Sequence, residues 1–590
     1  MKLHALLAGL LTAVPIATAP ALAAERTSDP RAPSAGKGIP RQLDSEQAGG
    51  YRKVFEAIRA ARWTDAELTL AAMKPGPLHA IARAELYTVK GSPKVELEPL
   101  MALLGEAPEL PQGAVLARLA TLRGAAVLPE LPQPQRMIWN DGAPNRQRAR
   151  STKADAAAAT LAQAMLPFIK DDLAREAEAL LGGHEGELSP EGLTEWRQRV
   201  GWIYFLRGED RDARRLAALA QGGSGEWVAQ ADWLQGLAAW RMKDCAAAQV
   251  AFQSVAARAG DIDLRTAGLY WAARADMACG RPDLVQGRLT TAAQHGESFY
   301  GLLARQALGI DEPAGRLGGV VAADWRALEN RPNVRVAAAL VEIGETRLAE
   351  QVIRHQATIG GSRDYQPLVR LAGLMDLPAA QIWMAHNCPS GASAPVEARY
   401  PTPAWTPDGG WRVDRRLVYA HALQESRFRS DVVSPAGAYG IMQIMPAAAS
   451  DFGRARGQTI DRGRLSVPST NIEVGQSYLE KLRDQPGTGG LLPKVIAAYN
   501  AGPGPVALWN TVTRDGGDPL LYIESIPYWE TRGYVMMVLR NYWMYEKQDG
   551  KPSLSRAALA QGMWPRFPGL SGPSAVRRSA VPASGATASN

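Results

Sequence analysis

Between residues 51 and about 377, apolar positions recur every three or four residues with polar positions opposite. This is the spacing of amphipathic helices. Segments 51–73, 114–123, 156–169, 193–206, 227–243 and 264–279 show it most clearly, joined by short turns bearing Gly, Pro or Asp. Helix pairs of this length predict an α-solenoid, in which each hairpin buries its stripe on the next. Trp196, Trp202, Trp227, Trp233, Trp240 and Trp271 fall inside these segments. They read as inter-helix packing rather than as a ligand-stacking stripe. The pattern returns at 412–424, where Val413, Leu417, Val418, Ala420 and Leu423 alternate with Arg415, Arg416 and His421. Gly437 and Gly440 then permit a tight turn, and Ile441 to Ile444 are expected to return as a short strand. Residues 24–50 read as a flexible leader, 386–410 as a break dense in Pro, Ser, Gly and Ala, and 549–590 as a largely disordered tail.

Composition supports a helical chain of several domains. At 590 residues, 46% of them hydrophobic, it is too long for one core, and it lacks long β-branched runs. The formal charge of +7 suits an anionic partner. With no zinc spacing and no dense Lys/Arg run, nucleic acid is not the expected one. No acidic calcium loop and no His/Cys ligand cluster occurs, so neither metal nor cofactor is expected. Met1-Lys2, an apolar run from 5 to 17 and Ala21-Leu22-Ala23 have the layout of a secretory signal peptide over 1–23, which predicts export to the periplasm. No later stretch is long and apolar enough for a transmembrane segment. Three cysteines leave at least one unpaired. Cys245 and Cys279 lie 34 positions apart, a helix-hairpin repeat length. Equivalent places in adjacent repeats, about 8–10 Å apart, exceed the roughly 7 Å limit for a bridge. Buried thiols are therefore expected.

The chemistry concentrates after residue 401. Glu425 stands where the chain leaves the 412–424 helix. A carboxyl partly shielded there by apolar walls has a raised pKa and donates a proton near neutral pH. A lone glutamate is by default a solvated one; what raises the odds is its company. Glu425-Ser426-Arg427-Phe428, Ser434-Pro435, Gly440-Ile441-Met442-Gln443-Ile444-Met445-Pro446, Ala497-Ala498-Tyr499-Asn500-Ala501-Gly502-Pro503-Gly504 and Glu524-Ser525-Ile526-Pro527-Tyr528-Trp529-Glu530-Thr531-Arg532-Gly533-Tyr534-Val535 follow in order. Together they closely resemble the signatures of the soluble lytic transglycosylases, murein-cleaving enzymes with a goose-lysozyme-like catalytic domain.

That resemblance implies a mainly α molecule: an α-superhelical, ring-like solenoid over 51–297, a helical linker domain over 298–395 and a lysozyme-like α+β catalytic domain over 396–548. Residues 298–309 are themselves similar to a family segment that precedes the linker domain. It further implies that Glu425 is the sole catalytic residue, first acid and then base, and that peptidoglycan glycan strands are the partner. Other cell-wall enzymes are further candidate partners. Ser434 matches a serine that contacts substrate near the reacting centre, and Gln443 and Met445 match positions lining sugar subsites. Tyr499 and Asn500 end a helix, where Tyr499 is placed to bond Glu425 or a sugar. Glu524 matches a supporting carboxylate lining the cleft, with Tyr528 packed beside it. Glu530 and Arg532 are expected to pair. Asp431, Asp451, Asp461 and Glu473 recur in none of these motifs and read as structural, and His421 as an ordinary packed or exposed side chain. A hydrolytic muramidase and a non-catalytic murein-binding scaffold are the competing readings.

Overall fold

Ala- and Leu-rich stripes produce 28 α-helices and four short strands among the described residues of the computed structural model. It describes residues 38–578 except 153–154, 311–314, 316 and 318–320. The expected signal segment 1–23 and the end of the tail from 579 lie outside the described residues.

The chain divides into two compact units. The first, 43–108 with 112–129, holds five helices from Ser45–Arg59 to Gly113–Leu122. Ser45–Arg59 begins inside the expected leader because Asp44 and Gln47 form a reciprocal capping box that satisfies the first backbone donors. The 51–73 stretch is two helices rather than one, broken at Ala61, whose φ is 55°.

In the second unit, mainly 130–590, the described residues from 130 to 155 hold no helix. Within it Met137–Trp139 pairs antiparallel with Asn387–Pro389. Among the described residues no helix lies between Leu122 and Ala156. From Pro190–Arg207 to Phe299–Ala307 each helix packs on the next. The tryptophans cement these layers, as their spacing predicted: Trp233 and Trp240 both meet Trp271 edge-on at 6.2 and 5.7 Å.

Cys245 and Cys279 form a disulfide, contrary to the expected thiols. The 34-residue interval spans one hairpin rather than two repeats. Cys245 opens the helix Cys245–Arg258 and Cys279 caps Ile262–Ala278, so antiparallel packing brings the two ends together with Cα atoms 5.7 Å apart.

The tail also departs from expectation. Leu554–Ala560 is helical, and Trp564–Pro565 pairs with Ala575–Val576. Composition hid two anchors. Trp564 is fully buried and donates its indole N–H to the Gly517 carbonyl at 2.8 Å, and Phe567 is buried as well. Burying these two rings offsets the entropy of ordering a Pro/Gly-rich stretch.

Candidate functional site

The helix bearing Glu425 runs over Arg415–Ser426 and begins three residues later than its apolar pattern suggested, because Asp414 caps it by accepting from Arg416 N. Glu425 lies in the last turn. Arg427 and Phe428 then take left-handed φ values of 53° and 62°, and Gln443 one of 47°. Such backbone costs free energy for non-glycine residues and persists where neighbours hold it. Here Ser426 Oγ donates to the Ile441 carbonyl at 2.7 Å, and Gln443 Nε2 donates to Val432 and Gly440 carbonyls at 3.1 and 2.8 Å. The expected strand over 441–444 is absent; single bridges Val433–Tyr439 and Tyr439–Ile444 replace it. Gly440 is required in this turn: its φ is 77°, and a Cβ there would lie 2.3 Å from Asn471 Nδ2.

Glu425 is half-buried. Tyr534 Oη donates to its Oε1 at 2.6 Å. Burial and, after it, the charge of Glu530 push the carboxyl up to about 7, against the Tyr534 bond, which favours the ionised form. Within its motif nothing in the sequence singles out Tyr534. It lies on Trp529–Gln548, a helix buried on most sides, and only packing against Arg415–Ser426 shows which of its side chains reaches Glu425. Tyr499 does not bond Glu425; its hydroxyl donates to the Met442 carbonyl at 2.8 Å. Burial and the Glu425 charge raise both phenols well above their ordinary value, so they remain donors.

His421 is fully buried, its ring 4.8 Å from that of Tyr499. Its Nδ1–H donates to the Leu417 carbonyl at 2.9 Å, and burial lowers its pKa to about 4. A neutral imidazole locked in the floor is no acid for this site.

The other expected site residues divide into two groups. Gln443, Met445 and Tyr499 share the walls of one groove with Tyr478, Asp451 and Lys481. Met445 is 45% exposed there. Ser434 is half-buried in the adjoining turn, where its Oγ accepts from Ala438 N at 3.0 Å and keeps its own proton to donate. Asn500 Oδ1 accepts from Thr531 Oγ1 at 2.6 Å, which ties the helix Leu492–Ala501 to Trp529–Gln548.

Glu524 does not line a cleft. It is fully buried, paired with Arg146 at 2.6 Å, and accepts from Tyr300 Oη at 2.6 Å. Arg146 also meets Asp263 at 3.3 Å and stacks on Trp233. The motif fixed the residue type, while the buried cation comes from a segment nearly 400 positions away. Tyr528 is 50% exposed and edge-on to Trp509 rather than beside Glu524. Arg532 donates to the Ile526 carbonyl and packs over Trp202, not against Glu530. Asp431, Asp451, Asp461 and Glu473 all have structural partners, namely Arg347, Lys481, the Arg464 backbone N–H and Arg412. Among the described residues no group of three or more His, Cys, Asp or Glu side chains is arranged to hold a metal, and no helix is long and apolar enough to cross a membrane.

Residues 407–519 match the transglycosylase SLT domain. The soluble lytic murein transglycosylase of Escherichia coli (strain K12) is 40% identical over 153 residues, 25% of this chain and 23% of that protein. Its namesake in Salmonella typhimurium is 37% identical over 159 residues, 27% and 24% of the two chains. The chain therefore spans about a quarter of the length of these curated relatives. Among solved structures, the 70 kDa soluble lytic transglycosylase from Escherichia coli is similar over 89% of this chain and all of that one, with a TM-score of 0.53 at 19% identity. An inactive mutant of lytic transglycosylase Slt from Pseudomonas aeruginosa gives 0.50 at 21% identity, over 86% of this chain and 82% of that one. At that identity the likeness speaks for fold, a superhelical array of helices followed by a lysozyme-like α+β domain. By the match over 407–519, which takes in Glu425 and the motifs around it, this chain carries a transglycosylase SLT domain, and over about a quarter of its length it is similar to soluble lytic murein transglycosylases.

Proposed function

We propose that the protein is a lytic transglycosylase that cleaves the β-1,4 bond between N-acetylmuramic acid and N-acetylglucosamine in peptidoglycan, leaving 1,6-anhydromuramic ends. It acts in the periplasm after export. The observation that carries this reading is the single half-buried carboxyl of Glu425, pushed up to about 7 and held by Tyr534. At neutral pH about half of it is protonated. It can give its proton to the leaving glycosidic oxygen, without which the alkoxide departs too slowly. As carboxylate it then takes the proton from the muramyl C6 hydroxyl, which closes on C1 of the same sugar. Tyr534 and Tyr499, kept protonated, orient the carboxyl and the Met442 carbonyl. Gln443 and Met445 on the groove wall and Ser434 in the turn are the proposed sugar contacts, while Asn500 and Glu524 support the site through the helices they tie down. The catalytic part comprises 396–548 together with the ordered tail to 578.

Intramolecular attack is favoured because the C6 hydroxyl is already tethered to the reacting sugar. An inverting hydrolase needs a second carboxylate about 6.5–9.5 Å from the acid to activate water. Glu530, exposed on the same helix as Tyr534, has a charge that is felt at Glu425, and this keeps hydrolysis as the second reading. Mass analysis of fragments released from purified sacculi separates the two. Anhydromuramic ends resistant to borohydride are expected; chiefly reducible muramic ends would establish the hydrolase instead.

A further inference from the structure

The groove walled by Gln443, Met445 and Tyr499 carries charge that uncharged sugars do not require. Among its lining residues Lys481 Nζ sits 3.0 Å from Asp451 Oδ2, with both side chains about half exposed at 55% and 49%. Lys481 projects from the helix Pro468–Arg483, beside Tyr478, and Asp451 from Pro446–Ala455, which packs against it. Asp451 also holds Arg454 at 3.5 Å. Arg454 lines a second groove to which the same helix contributes, and Ile444 lines both. One carboxylate thus balances two cations, and the ridge between the grooves is left one positive charge in excess.

Resting on the function proposed above, we propose that Lys481 is a specificity-determining residue that receives a free carboxylate of the murein stem peptide, with Asp451 as its exchangeable partner in the empty groove. Each muramyl sugar carries such a stem, so a glycan lying across Gln443 and Tyr499 brings carboxylates to the groove walls. An exposed ion pair is worth little because water and salt screen it. The incoming carboxylate can therefore take Lys481 from Asp451 at small cost, and Asp451 remains on Arg454. Hydrogen bonding and stacking hold the sugars, and the charge exchange reads the stem.

The test compares soluble glycan strands that keep their stems, strands stripped of stems by an amidase with the lactyl carboxylate so freed converted to an amide, and strands whose stem carboxylates have been converted to amides. The quantity read is the ratio of kcat/KM for intact over stripped strands. Losing one screened charge contact predicts a roughly three- to fivefold fall in this ratio for Lys481→Met. Asp451→Asn, which releases Lys481, is expected to raise the ratio. Amidated strands are expected to behave like stripped ones with the wild-type protein. A ratio unchanged in both variants, or full wild-type preference for amidated strands, overturns the proposal. Should Lys481→Met fail to fold, Asp451→Asn and the amidated strands still decide it. Absence of anhydromuramic ends from every strand would instead refute the underlying transglycosylase reading.

Discussion

Glu425 combines two opposed influences, burial that disfavours its charge and a phenol that favours it, and the balance leaves its proton available near neutrality. Glu425→Gln keeps the shape and removes the proton, so turnover is expected to fall by about 10²–10⁴-fold or more, measured as sacculus clearing. In the wild type, kcat/KM is expected to decline about tenfold per unit above pH 7 as the acid form is lost. The same shift bears on stability. The folded state holds the Glu425 proton up to about 7 against an ordinary value of 4.5. Between these values the native protein binds more protons than the unfolded chain, so stability falls as pH rises through that window. Glu425→Gln should accordingly melt above the wild type at pH 8, with the difference vanishing near pH 4. Glu530 raises the Glu425 pKa by its charge, so Glu530→Gln should move the alkaline limb of the rate profile to lower pH and retain turnover. A Glu530→Gln protein as inert as Glu425→Gln would return a two-carboxylate hydrolysis.

Among the elements, the hairpin of Cys245–Arg258 and Ile262–Ala278 is closed at its open end by the disulfide. A loop of 34 residues confines the unfolded chain enough to contribute about 3–4 kcal/mol. Replacing both cysteines by alanine is expected to lower denaturant stability by about that amount and to leave the Glu425 rate profile unmoved. Unfolding curves with and without reductant check the same quantity in the unmutated protein. A change below about 1 kcal/mol would mean that native contacts already hold the hairpin shut.

At the scale of the whole molecule, residues 144–152 form a strap that joins distant parts of the second unit. Arg540 donates to the Pro144 carbonyl and Asn145 Oδ1, Arg146 pairs with Glu524 and Asp263, and the Thr152 backbone N–H reaches Glu195. The pair is deeply buried, with side-chain exposures of 5% for Arg146 and 0% for Glu524. Removing one member strands a charge out of water, so Arg146→Met is expected to cost about 3–5 kcal/mol by chemical unfolding. The double change Arg146→Met with Glu524→Gln should recover much of that loss. A fragment starting near Pro401 retains Glu524 and lacks both Arg146 and Tyr300. The motif-bearing region is therefore expected to be poorly stable when excised, and more stable when Glu524→Gln is included. A fragment that melts like the full chain without that change would show the strap to be dispensable.

Local regularities were legible in the sequence. Outside 51–73, apolar spacing gave the helices to within a few residues, because an amphipathic stripe depends only on neighbours three and four positions away. The stretch from Glu425 to Pro446 announced a glycine turn, because Gly437 and Gly440 take left-handed φ values that favour glycine. Partners distant in the chain were not legible. Tyr534 could be told from the other aromatic residues of its helix only once that helix packed on Arg415–Ser426. Glu524 read as a cleft residue until Arg146 and Tyr300 were seen to enclose it. The cysteines read as thiols because spacing measures separation along the chain, whereas an antiparallel hairpin returns the chain to its own start. Which side chains stand near Glu425, and hence where its proton is held, is a property of packing in three dimensions that no local pattern encodes.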